Sequence, residues 1–366
     1  MKIKVGIIGG AGYTGGELIR VLINHPNTEI CFVHSNSNAG NLISDVHTDL
    51  IGDTDLRFTK SLKASHSAKG LEEIDVLYLC VGHGDARKFL EANAINDSVK
   101  IIDLSQDFRL KNSSKFKVES LKTDNQFSTL NFKHFIYGLP ELNREAITSA
   151  QNIANPGCFA TCIQLALLPL AKAGLLNSEV HISATTGSTG AGQKPTETSH
   201  FSWRNNNLSV YKAFEHQHLN EIGESLTSLT PTLSKGEGES HSHPSPLGEG
   251  TGVRLNFIPY RGDFTRGIMA STYIDCDLSL EEAENLYQNF YADAPFTHIS
   301  KINIDLKQVV NTNKCIIHLE KHGNKLLILS IIDNLLKGAS GQAVQNMNLM
   351  FGFEEMAGLR LKAVGF

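Results

Sequence analysis

The spacing of apolar positions changes partway along the chain, and the change divides it in two. Residues 3–8 are a short apolar run, residues 9–16 are rich in glycine, and residues 17–23 carry apolar positions at helical spacing up to His25 and Pro26. That order is strand, glycine turn, helix. Residues 29–34, 75–81 and 101–105 read as further strands of the continuous apolar kind that parallel sheets bury. Residues 137–143 are dense in turn formers and read as an ordered loop. From Cys158 to Lys172 the chain is apolar and nearly uncharged, with Asn155, Pro156 and Gly157 as breakers before it, so a buried helix begins at the cysteine. Strands then follow one another at 180–184, 254–260, 268–275, 314–320 and 325–333, the last two joined as a hairpin through His322, Gly323 and Asn324. Residues 229–253 are Gly, Ser, Pro and Glu with little to bury, which predicts a mobile surface insertion.

The fold class this predicts is α/β: an N-terminal Rossmann-type dinucleotide-binding domain over residues 1–157, and an α+β catalytic and dimerisation domain over residues 158–336 with a largely antiparallel sheet. A C-terminal helix over residues 337–366 is expected to pack back on the first domain and bring Asn346 toward a cofactor.

Candidate chemistry sits at the breaks in the pattern. Gly9, Gly12 and Gly15 form G-x-x-G-x-x-G, with Tyr13 and Thr14 in the same turn; such glycines allow close approach of a pyrophosphate. Ser35 and Ser37 follow the second strand, where an NAD-selective site would carry a carboxylate; with none there, the expected cofactor is NADP. Cys158 on the first turn of a helix faces unpaired N–H groups and the positive end of the macrodipole, which favour the thiolate and make it the candidate nucleophile. His216 and His218, with Glu221 three residues on, supply the base such a thiol needs. Gly187 and Ser188, in a second glycine-rich segment, could cradle an anion or line a nicotinamide pocket, and Arg109 could fork onto a phosphate or carboxylate.

Composition narrows the class. The 366 residues suffice for two domains; 41% are hydrophobic, and no run has the length of a membrane span. With a net charge of −5 and no basic stripe, neither nucleic acid nor membrane is an expected partner. Six cysteines without C-x-x-C spacing are expected as free thiols, with no metal, in a cytoplasmic protein.

These residues resemble the N-acetyl-gamma-glutamyl-phosphate reductase family of the aspartate-semialdehyde dehydrogenase group. The resemblance is carried by Gly9-Gly-Ala-Gly-Tyr-Thr-Gly-Gly-Glu-Leu, Ile102-Asp-Leu-Ser-Gln-Asp-Phe-Arg-Leu, Tyr137-Gly-Leu-Pro-Glu-Leu-Asn-Arg, Asn155-Pro-Gly-Cys-Phe-Ala-Thr, Gly187-Ser-Thr-Gly-Ala-Gly and the segment from Asp333 to Asn348. Three features depart from the family: H-R-H-x-P-E-I reads His216-Gln217-His218-Leu219-Asn220-Glu221-Ile222, S-R-S reads Ser35-Asn36-Ser37, and the 229–253 insertion has no counterpart. The resemblance implies NADPH-dependent reduction of an acyl phosphate through a thioester on Cys158 in arginine biosynthesis. His216 or His218 would be the acid and base, oriented by Glu221. Arg109 and Arg266 would hold the phosphate or the substrate carboxylate beside Asn155, in a homodimer or homotetramer. Aspartyl, aminoadipyl or N-succinylglutamyl phosphate is the alternative substrate; a nucleotide-sensing regulatory protein is the alternative class.

Overall fold

The computed structural model describes residues 2–62, 70–118, 131–229 and 253–365, with the backbone alone at 115–118 and 131–133. Of the insertion expected at 229–253, all but its two end residues lies outside the described residues. The chain divides into two compact units, Met1–Gly157 with Leu335–Lys362, and Cys158–Asn334 with Ala363–Phe366.

In the first unit the elements run β1 (Ile3–Ile8), α1 (Tyr13–Ile23), β2 (Thr28–His34), β3 (Phe58–Thr59), β4 (Val76–Leu79), α2 (Asp85–Ala92), β5 (Lys100–Asp103), β6 (Lys115–Val118), β7 (Asn131–Tyr137), α3 (Pro140–Thr148) and β8 (Asn152–Ala154). The sheet order is β3-β2-β1-β4-β5-β8-β7-β6, parallel throughout except for the antiparallel edge pair β6–β7. This is the doubly wound arrangement that binds a nucleotide beyond the carboxyl ends of its strands. The expected loop at 137–143 is corrected: Tyr137 closes β7 and Pro140 opens α3. Proline is favoured at a first helical position because its missing N–H would have no helical acceptor there.

The second unit holds α4 (Cys158–Lys172), β9 (Val180–Thr186), α5 (Phe201–Arg204), β10 (Ser209–Val210), α6 (His218–Leu229), β11 (Leu255–Arg261), β12 (Ile268–Asp275), α7 (Leu280–Phe290), β13 (Thr297–Ser300), β14 (Cys315–His322) and β15 (Lys325–Ile332). Its sheet order is β10-β11-β9-β12-β15-β14-β13. The sheet is mixed and largely antiparallel, with β9–β11 and β13–β14 parallel. β14 and β15 meet through Gly323 at φ +57°, which suits a two-residue hairpin turn with glycine first.

Helix α4 is buried from 159 to 171 in spite of an internal proline, Pro169. Proline has no N–H for the carbonyl of Leu165, one turn back. The Tyr291 hydroxyl, just after α7, donates to that carbonyl at 2.5 Å, and the Tyr287 hydroxyl donates to Ala166 at the same distance. A helix able to carry the cysteine on its first residue is thereby fixed at mid-length from the side.

The C-terminal segment returns to the first unit as α8 (Ser340–Met350), packed against α1 and α3. It is shorter than the span of 337–366, because Gly352 turns left-handed at φ +69°. The Ser340 hydroxyl donates to the Thr14 carbonyl at 2.7 Å. Lys337, fully buried, reaches Glu141 at 2.8 Å and Gln345 at 2.9 Å.

Candidate active site

The loop that ends the first unit is rigidly held. Asn155 N–H donates to Asp103 O at 2.8 Å, its Nδ2 to Ala339 O at 3.1 Å, and its Oδ1 accepts from Asn346 Nδ2 at 3.1 Å. Arg109 is buried, its Nε donating to Asn155 O at 2.8 Å and an Nη to Leu104 O at 3.0 Å. Through these bonds both residues, expected on substrate, also clamp the carboxyl ends of β5 and β8: a guanidinium buried among strand ends satisfies carbonyls that would otherwise lack donors. Asp107 caps α2 by accepting from the Gly84 and Arg87 N–H groups.

Cys158 is the first residue of α4, half-buried and not in a disulfide. Helix-start N–H groups lack intrahelical acceptors, so the position favours a thiolate. One turn on, Cys162 is the contrast: its Sγ meets Ser330 Oγ at 3.2 Å, and burial pushes its thiol up to about 12.

The two histidines lie together around Phe159. Their ring centroids are 4.6 Å apart, and Phe159 is 5.3 Å from His216 and 6.4 Å from His218. His218 begins α6, and Glu221 Oε1 lies 3.8 Å from its Nε2. Gln164 of α4 donates to Glu221 O at 3.1 Å and Ser225 Oγ at 2.9 Å, tying the histidine helix to the cysteine helix. His216 accepts the His218 backbone N–H on Nδ1 at 3.2 Å. Burial, then His218 and Lys212, hold its pKa down at about 3, so it is neutral at physiological pH with its proton on Nε2.

Three residues beside this pair were not anticipated. Tyr211 meets His216 edge-on at 5.7 Å, lies within electrostatic reach of Cys158, and has the Arg261 guanidinium over its ring at 4.3 Å. Arg204 is buried next to them. Tyr211 precedes His216 by a few residues, but Arg204 ends α5 and Arg261 ends β11, so no sequence spacing announces the group.

The candidates Gly187, Ser188 and Arg266 also have partners within the second unit. The N–H groups of Gly187, Ser188 and Thr189 donate to the carbonyls of Gly267, Phe264 and Thr265, which leaves them no free donors for an anion. A Cβ on Gly187 would lie 2.6 Å from the Thr265 backbone, so this glycine serves backbone packing. Arg266 forks onto the fully buried Asp333 at 2.9 and 3.0 Å, and its paired donors hold a protein carboxylate in place of a substrate one.

In the first unit the glycine turn fits a dinucleotide. Gly9 has φ +82°, and a Cβ there would sit 2.3 Å from Cys80 O; one on Gly15 would meet Gly10 Cα at 2.6 Å. Gly12 is different: the nearest atom to its would-be Cβ is 3.8 Å away. It caps α1 with no side chain, and the first turn through Tyr13 and Thr14 carries no acid, so its N–H groups and dipole face open space suited to a pyrophosphate. His47, missed in the sequence, braces the turn through Gly10 O at 2.8 Å. Ser35, Ser37 and Asn38 cluster after β2, with Asn38 Nδ2 3.0 Å from Ser37 Oγ. Asn346 is fully buried and gives Nδ2 to Gly138 O at 2.8 Å, while its Oδ1 accepts from no described residue. That acceptor suits a carboxamide N–H.

Comparison with known proteins agrees with this division. Residues 4–150 match the semialdehyde dehydrogenase NAD binding domain, and residues 158–334 match the semialdehyde dehydrogenase dimerisation domain. The N-acetyl-gamma-glutamyl-phosphate reductases of Phocaeicola vulgatus and Azobacteroides pseudotrichonymphae are 55% and 58% identical, each over 100% of both chains. That of Bacteroides thetaiotaomicron is 56% identical over the same share. Among solved structures, aspartate semialdehyde dehydrogenase II of Vibrio cholerae has a TM-score of 0.66 at 14% identity, covering 96% of this chain and 99% of that one. The Candida albicans enzyme with NADP gives 0.63 at 12% over the same shares, and both support the fold. The chain belongs to the semialdehyde dehydrogenase family, among its N-acetyl-gamma-glutamyl-phosphate reductases.

Proposed function

We propose that this chain is a cytoplasmic enzyme that reduces N-acetyl-gamma-glutamyl phosphate to N-acetylglutamate 5-semialdehyde and phosphate, with NADPH, in arginine biosynthesis. The observation that carries the proposal is the cysteine on the first residue of α4, on a helix tied to the one that begins with His218.

His218 takes the Cys158 thiol proton, and the thiolate attacks the acyl carbon. The carbon–oxygen bond to phosphate breaks, phosphate leaves with the electron pair, and a thioester remains on Cys158. When bound, NADPH supplies the hydride that reduces this thioester. His218 protonates the oxygen that results, then takes that proton back as the carbon–sulfur bond breaks and the aldehyde leaves. His216, neutral and with Nδ1 occupied by a backbone N–H, offers its Nε2–H as a fixed donor. Glu221 Oε1 faces Nε2 of His218 at 3.8 Å and orients its ring. Hydroxyl and amide groups after β2, with no carboxylate among residues 35–40, suit a 2′-phosphate and hence NADP. The dimerisation-domain match supports a homodimer or homotetramer, which light scattering distinguishes.

The test runs the reaction backwards: semialdehyde, inorganic phosphate and NADP, followed by absorbance of the reduced nicotinamide. Phosphate-dependent reduction with the N-acetyl substrate supports the proposal, and a signal only with the N-succinyl substrate moves the acyl group. Cys158→Ala should lower the rate at least about 10³-fold while NADPH still binds; a tenth of the wild-type rate in that variant rules out the nucleophile.

A further inference from the structure

We propose that Arg204, Arg261 and Tyr211 form an anion subsite of the second unit that takes a carboxylate of the acyl substrate; it rests on the acyl-phosphate reductase function above and names a group that function leaves unassigned. Arg204 is 8% exposed, and its two hydrogen bonds are long: Nη1 to Gly262 O at 3.4 Å and Nη2 to Thr198 O at 3.3 Å. Its Nε is buried and has no acceptor among the described residues. Arg261 donates to Thr198 Oγ1 at 2.7 Å and lies over Tyr211. Among the described residues neither guanidinium forms an ion pair with a carboxylate. Asp263, within electrostatic reach of Arg204, accepts the Asn206 N–H at 2.7 Å.

Burying a guanidinium without a counter-ion is unfavourable, and two adjacent ones repel each other; both charges together are understandable where an anion comes to lie between them. The planar fork of arginine matches a carboxylate. Tyr211 is the ring shared by Arg261 and His216, so an anion held by Arg261 is about one ring from His216, the fixed donor beside His218. That distance suits a carboxylate several bonds from the reacting carbon better than a phosphate bonded to it. The backbone supports the assignment: Asn206, Lys212 and Phe214 have φ of +53°, +47° and +62°, three of the four non-glycine residues with positive φ among the described residues. Such strain clusters where a segment is shaped for binding.

The chain's one tryptophan, Trp203, has the Arg204 guanidinium 5.6 Å from its ring and gives a readout that needs no turnover. Fluorescence of the full-length protein is titrated with N-acetylglutamate and, separately, with inorganic phosphate. Wild type should saturate with N-acetylglutamate, and Arg204→Gln and Arg261→Gln should each weaken Kd at least about tenfold, at unchanged melting temperature. In the reverse assay the same variants should raise KM for the semialdehyde more than they lower kcat. If a Gln variant melts early, Arg261→Lys replaces it, keeping the charge and losing the fork, with a Kd at least about threefold weaker. Unchanged Kd in the variants overturns the proposal, as does a loss confined to phosphate. An inactive wild type that still binds N-acetylglutamate through these arginines would refute the reductase function and leave the subsite standing.

Discussion

The backbone N–H of His218 donates to Nδ1 of His216 at 3.2 Å, and in the proposed mechanism this one bond divides the work of the two histidines. His216 is left with Nε2–H as a donor and no second lone-pair nitrogen, whereas His218, with Glu221 facing its Nε2, can exchange a proton. His218→Gln should therefore lower kcat by about 10²–10⁴-fold and remove its inflection from the pH–rate profile. With its pKa held near 3, His216 does not titrate across the working range, so His216→Gln should lower the rate and leave the profile's shape unchanged. Identical profile changes in both variants would contradict this division.

Two glycines of the nucleotide turn make separable predictions. Gly9→Ala forces a side chain onto a left-handed backbone and against Cys80 O, and should lower the melting temperature. Gly12→Ala has room within the protein and should melt like wild type, yet bind NADPH at least about tenfold more weakly because its methyl occupies the pyrophosphate's approach. Isothermal titration with both variants checks this; normal NADPH binding by Gly12→Ala would place the pyrophosphate elsewhere.

Tyr291→Phe removes the donor to the carbonyl that Pro169 leaves without a helical partner, and should cost about 1–3 kcal/mol. Tyr287→Phe should cost less, since the Ala166 carbonyl keeps its partner four residues on. Urea denaturation of the two variants orders them, and the reverse order would show that the proline's gap is filled some other way.

Stability should depend on pH in two opposite senses. Asp103 is buried and its pKa is raised to about 7 despite two bonds from Ser105, so its share of stability is full below the unfolded value near 3.8 and lost as pH rises through 7. His216 is depressed to about 3; its share is present above 6.5 and lost as pH falls toward 3. Above pH 6.5 only the Asp103 effect remains between these two. Asp103→Asn should therefore lose less melting temperature than wild type between pH 6 and 8.5, by scanning calorimetry. Parallel curves would mean that Asp103 does not titrate in this window.

In the first unit β1, α1, β2, β4 and β5 were legible because parallel strands and the helix after a glycine turn announce themselves through apolar runs and breakers, whereas β3, α2, β6, β7 and β8 carry no such run. The helix at Cys158 was legible for the same reason, since Asn155, Pro156 and Gly157 stop one element just where the next begins. Residues 137–143 misled because proline and asparagine mark helix starts as well as loops. For Arg109, Arg266 and Gly187 the sequence shows a cation or a flexible residue but not what meets its hydrogen bonds, and here Asn155 O, Asp333 and Gly267 O do so. Arg204 and Arg261 reach Tyr211 only through the tertiary fold.

Residues 209–214 run along β11, with Ser209 and Val210 paired to Arg261 and Tyr260, Tyr211 N–H on Pro259 O at 3.1 Å, and Phe214 N–H on Phe257 O at 2.8 Å. The left-handed backbone of that stretch is therefore set by its neighbour strand. The carboxylate subsite proposed above is then a property of two distant pieces of the gene acting as one module. Grafting residues 204–214 alone into another scaffold would transfer side chains without their mould, whereas moving them with 255–263 would transfer both.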